Sequence, residues 1–135
     1  MAKSLFPEEM IKSSDMSLEG IASKLTYFQE QLHLLHWQTN SYAQHQALGG
    51  LYDYVHDFKD GVIEKLMGYM NRRPTSVKME QLSPSATPSS VVSELLSFSS
   101  SLKSYAEGNG FHDISNLADA LSGEAAKTRY LLTLS

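Results

Sequence analysis

Apolar side chains recur every three to four residues along most of the chain, the stripe of an amphipathic helix at about 100° per residue. Leu18, Ile21, Leu25, Phe28, Leu32 and His36 form the first stripe. With Ser17 as N-cap it predicts a helix over residues 17–38, ending in a histidine where another leucine would continue the pattern. Leu48, Leu51, Val55, Phe58, Val62 and Leu66 predict a second helix over 42–70. Thr39-Asn40-Ser41 is a short join, so the two should pack as an antiparallel hairpin. Gly49-Gly50 inside the second helix costs about 1 kcal/mol per glycine relative to alanine, which implies a bend or a close approach of another backbone.

From Arg72 to about Ala86 the periodicity dissolves among Pro74, Pro84, serines and other polar residues. Thr87-Pro88 then reads as an N-cap with proline at the first helical position. Val92, Leu95, Leu96, Ser99, Leu102 and Ala106 predict a third helix stopped at Gly108-Asn109-Gly110. Ile114, Leu117, Leu121, Ala125, Thr128 and Leu132 predict a fourth from about Asp113, leaving His112 in the preceding turn. Two tight helix pairs joined by a long crossover (72–88) predict an all-α four-helix bundle of ferritin-like topology, one domain over 1–135 with a flexible segment at 1–16.

Charge and composition narrow the function. The 135 residues carry 11 lysines and arginines against 15 acidic residues, a net charge of −4, so a nucleic-acid partner is not expected. Lys3 and Lys12 are offset by Glu8 and Glu9 and make no basic tail. The chain has no cysteine, which excludes disulfides, thiolate metal sites and cysteine nucleophiles. No serine nucleophile motif points to a hydrolase. No apolar run reaches the ~18–20 residues of a membrane span. The start, MAKSLFPEEMIKSSDMS, has no apolar core of a secretory signal, so no membrane partner and a cytoplasmic location are expected, the host cytoplasm for a viral product.

The chemistry concentrates in one window. Four of the five histidines and the single tryptophan lie at His33, His36, Trp37, His45 and His56, beside Asp53, Asp57, Asp60 and Glu64. Imidazole and carboxylate together suit iron and related divalent metals. With Val55 at the centre of the second helix's core stripe, His45, Gly49, Asp60 and Glu64 fall about 80°, 120°, 140° and 180° round from it. They form a shoulder beside the core, which favours a site completed by a second subunit and hence a homo-oligomer. A di-iron site inside one bundle needs carboxylates from all four helices and two Glu-x-x-His pairs. Only Glu30-x-x-His33 is present, with Glu94, Asp119 and Glu124 lacking histidines at that spacing.

His36-Trp37, then His45, then Asp60-x-x-x-Glu64 fifteen residues later resembles the ferroxidase signature of Dps mini-ferritins over residues 28–68. The resemblance implies iron bound between twofold-related subunits. His36 and His45 would come from one, Asp60 and Glu64 from the other, and Trp37 would stand near the site. Gly49 occupies the place of a further carboxylate of that family, and Asp53 is the candidate to compensate. The stretches His36-Trp37-Gln38-Thr39, Ser41-Tyr42-Ala43 and Tyr130-Leu131-Leu132-Thr133-Leu134 resemble a ferritin-like family encoded by tailed phages, which implies a fold without an activity. Two expectations follow: a protein that binds and oxidises Fe(II) between subunits, or a phage accessory bundle with a degenerate metal site that binds a host or viral protein.

Overall fold

The computed structural model describes residues 16–134; the expected flexible segment, with Lys3, Glu8, Glu9 and Lys12, lies outside the described residues except for Met16. Four helices follow: α1 (Leu18–Gln38), α2 (Tyr42–Met70), α3 (Pro88–Asn109) and α4 (His112–Leu131), with a 3-10 turn at Leu132–Leu134. No strand occurs among the described residues.

The boundaries have local causes. Ser17, Ser41 and Thr87 accept hydrogen bonds from the backbone N–H groups of Gly20, Gln44 and Ser90, satisfying donors that a helix start leaves open. Thr87 and Ser90 cap each other reciprocally, and Pro88 follows where its missing N–H costs nothing. Asn71 closes α2 in the left-handed conformation (φ 54°), and Gly110 closes α3 the same way (φ 73°).

The helices pair as α1–α2, α3–α4, α2–α4 and α1–α3, so α1 and α4 face across one diagonal and α2 and α3 across the other. One apolar core runs through all four: Leu25, Phe28 and Leu32 meet Leu51, Val55 and Val62, Leu95 and Leu102, Ile114 and Leu121. Phe28 packs on Phe98 with ring centroids 5.7 Å apart. Three details differ from the apolar reading. Leu96 and Leu117 are half-buried while Val91, Phe98 and Ala118 are buried, so the inner faces are rotated slightly. His112 is the first residue of α4, not part of the turn before it. The core stripe of α1 ends at Leu35, and His36 is half-buried at the α1–α2 seam.

Residues 71–87 run as an extended strap along α1. Twelve residues of extended chain easily cover the about 31 Å of a 21-residue helix. Polar side chains on one side of α1 hold it. Glu19 takes a bidentate pair from Arg72 (2.7 and 2.8 Å) and the backbone N–H of Thr75 (3.0 Å). Ser23 accepts from Lys78 N–H (2.8 Å). Gln31, fully buried, accepts from Ser83 N–H (2.8 Å) and donates to Ser83 O (3.1 Å), and Gln38 donates to Pro84 O (3.2 Å). The strap therefore delivers α3 to the end of the bundle where α1 stops and α2 starts. No helix of the described residues is long and apolar enough to cross a membrane.

Candidate functional site

The short join places the two candidate histidines across the α1–α2 seam. Thr39 N–H still reaches back to Leu35 O (3.2 Å), while Thr39 Oγ accepts from Ser41 N–H (3.1 Å) and donates to Gln44 (2.9 Å). Ser41 O then accepts from His45 N–H (2.9 Å), so α2 starts within a turn of where α1 ends.

His36 and His45 are exchanged partners. Nδ1 of His36 lies 2.7 Å from the carbonyl oxygen of His45, and Nδ1 of His45 lies 2.9 Å from that of His36. A carbonyl only accepts, so both Nδ1 atoms carry hydrogen and, in the neutral rings, both Nε2 atoms keep a lone pair. The rings stack with centroids 3.7 Å apart and planes 19° from parallel. Gly49 makes this possible. A Cβ on Gly49 would stand 2.9 Å from Cε1 and 3.0 Å from Nδ1 of His36, closer than side-chain carbons approach one another. Neither expectation for the glycine pair is met as stated: α2 runs on through it, the nearest atoms over Gly49 belong to the His36 side chain and not to another backbone, and Gly50 faces open space.

The stack extends on both sides. His33 lies 4.0 Å from Tyr52 and 3.9 Å from Trp37, centroid to centroid, and 6.0 Å from His36. Tyr42 flanks His45 at 6.4 Å and His56 flanks Tyr52 at 6.3 Å. Imidazole and phenol rings thus line the outer seam of α1 and α2 over several turns. The stacking of His33 on Tyr52 is a contact that the sequence pattern does not reveal. The one signal it carries is spacing: His33 lies three residues before His36 and Tyr52 seven after His45, each returning to the same face.

The carboxylates are elsewhere. Asp60 lies fifteen residues past His45, about 22 Å along α2. Asp53, Asp60 and Glu64 are exposed, and none takes part in an ion pair among the described residues. Asp60 and Glu64 are one turn apart on one face. Among the described residues of one chain, no three His, Asp or Glu side chains converge as a metal site. The chain therefore presents two imidazoles at the α1–α2 seam and two carboxylates farther along α2.

No curated protein and no solved structure matches the chain. A family model does, that of the family of unknown function DUF5856, across residues 36–132, from the first seam histidine to the end of α4. The match takes in most of the bundle, and the chain belongs to that family.

Proposed function

We propose that the protein binds a divalent transition metal, Fe(II) foremost, between two subunits, with His36 and His45 from one and Asp60 and Glu64 from the other. The observation that carries this reading is the carbonyl-anchored histidine pair. Metal-binding imidazoles almost always donate their second ring nitrogen to a carbonyl or carboxylate, which fixes the tautomer and aims the free lone pair. Here both rings are anchored in that way, and His plus carboxylate is a donor set suited to Fe(II).

Charge distribution along α2 supports the two-subunit form. Residues 42–52 carry no formal charge and include His45, whereas Asp53, Asp57, Asp60 and Glu64 follow. Antiparallel contact of two α2 helices brings the imidazole-bearing half of each beside the acidic half of the other. The resemblance to Dps extends the reading to chemistry: Fe(II) is the substrate, oxidised at the shared site with oxygen or peroxide as electron acceptor.

A second reading is favoured by Gly49. The position of the family's further carboxylate is filled by the ring of His36, so an aspartate there would displace the ligand it should assist. On that reading the bundle is ferritin-like by ancestry, and its histidine-rich shoulder contacts another protein, as in a phage accessory protein.

Anaerobic calorimetry with Fe(II), or Zn(II) as a redox-silent probe, separates the two. The metal reading requires about one ion per chain and loss of binding in both His45→Ala and Asp60→Ala. No heat of binding with the wild-type protein would overturn it.

A further inference from the structure

The two ends of the bundle differ in kind. At the end formed by the start of α1, the end of α2 and the α3–α4 turn, charges are frequent and paired: Glu19 with Arg72 (2.7 Å), Lys65 with Asp113 (2.9 Å), Lys103 with Asp119 (2.8 Å). The opposite end draws on three stretches, 31–52, 81–93 and 130–134, and not one residue in them is Asp, Glu, Lys or Arg. The strap and the two hairpins bring these stretches together, and Arg129 is the formal charge that borders them on α4.

Four of the seven large apolar side chains that stand in solvent among the described residues lie at this end, the others being Tyr69 on α2 and Val77 and Met79 on the strap. The four are Trp37 (66 % exposed), Tyr42 (74 %), Tyr130 (61 %) and Leu134 (57 %). Beside them is a cavity of about 310 Å³ lined by Thr87, Pro88, Val92, Arg129, Leu132 and Thr133. Aromatic residues and arginine are enriched, and other charges depleted, at the centres of protein–protein interfaces, where anchors fill pockets.

We propose that this end docks a second copy of the same chain, end to end about a twofold axis. Charge selects that occupant. Copies with net charge −4 repel one another over most of their surfaces. Two such ends, which lack acidic residues and are bordered by Arg129, meet without that repulsion, and a twofold contact requires a surface that complements itself. This one offers both halves of such a contact, protruding aromatic rings and a hollow with apolar walls. An aromatic ring of the partner entering the hollow lies beside the Arg129 guanidinium, a favourable cation–π arrangement. The contact uses none of the carboxylates of the proposed metal site, although the same end carries His36 and His45; Asp60→Ala in chelator therefore separates the two readings.

Trp37 is the single tryptophan, so its fluorescence reports on this end. The experiment follows the mass of the full chain by light scattering and its tryptophan emission over a dilution series, in chelator. The expected result is a dimer with blue-shifted emission that halves in mass and shifts red on dilution. Tyr130→Glu, an exposed position, should remain folded by circular dichroism yet stay monomeric with red-shifted emission; Tyr42→Glu serves as the second such variant. Asp60→Ala should dimerise like the wild type. The contact should be unweakened by added salt, because it lacks ion pairs. A monomer at every concentration, or dimerisation that survives both glutamate variants, would overturn the proposal. So would blue-shifted emission from a monomer, which would mean that another segment of the same chain covers this end.

Discussion

The imidazole of His36 lies directly over the backbone of Gly49, 2.9 Å from where a Cβ would be. That contact couples the end of α1 to the first third of α2. It turns a residue that weakens a helix into one that the packing requires.

Adjacent glycines in α2 should therefore respond oppositely. Gly50→Ala adds a methyl into open space and should stabilise by up to about 1 kcal/mol through helix propensity alone. Gly49→Ala gains the same propensity but pushes His36 off its carbonyl partner. It should be at best neutral, and urea unfolding of the two variants gives the difference.

Two glutamines two residues apart on α1 should also differ in sign. Gln31 closes both backbone groups of Ser83, so Gln31→Met strands a half-buried N–H and C=O and should cost about 1–3 kcal/mol. Gln29 is buried with its Oε1 unpartnered. Gln29→Met keeps the volume, removes that oxygen and should be neutral or stabilising. Chemical denaturation tests both, and faster amide exchange at Ser83 in Gln31→Met would locate the loss.

Acid should loosen the strap through Glu19. The hydrogen bonds from Arg72, first, and from Thr75 N–H hold this carboxyl far below its ordinary value of 4.5. A lowered native pKa means a contribution that is complete above the unfolded value and fades as pH falls below 4.5 toward the native one. Glu19→Gln should lose the contribution at neutral pH and show a shallower acid decline. An unchanged acid profile in that variant would count against the assignment.

Alkali should act at Tyr27. Burial, first, and the charges of Glu94 and Glu80 push its phenol up from 10 to about 12. Its stabilising effect is complete below pH 10 and is lost as pH rises through 12, since the unfolded chain ionises first. Tyr27→Phe should flatten that part of the alkaline unfolding curve. Its hydroxyl donates to Glu94 (3.3 Å), so a small loss at neutral pH should accompany the change.

The helices were legible because their causes are local. Ser17, Ser41 and Thr87 cap backbone groups three residues away, Pro88 sits where a helix tolerates it, and Leu48 to Leu66 repeat at helical spacing. The strap was legible only as a break in periodicity. Its order comes from Glu19, Ser23 and Gln31, more than 50 residues earlier in the chain.

The candidate site divides along the same line. Spacing alone put His36 and His45 at opposite sides of a tight join and Asp60 with Glu64 on one face, because a helix returns to the same direction every few residues. It was silent on the carbonyl exchange, the His33–Tyr52 stack and the use of Gly49, since all three depend on the register of α2 against α1. That register is set by core packing between helices. The stretches 31–52, 81–93 and 130–134 are far apart in the chain, and only the strap together with the two hairpins brings them to a single end.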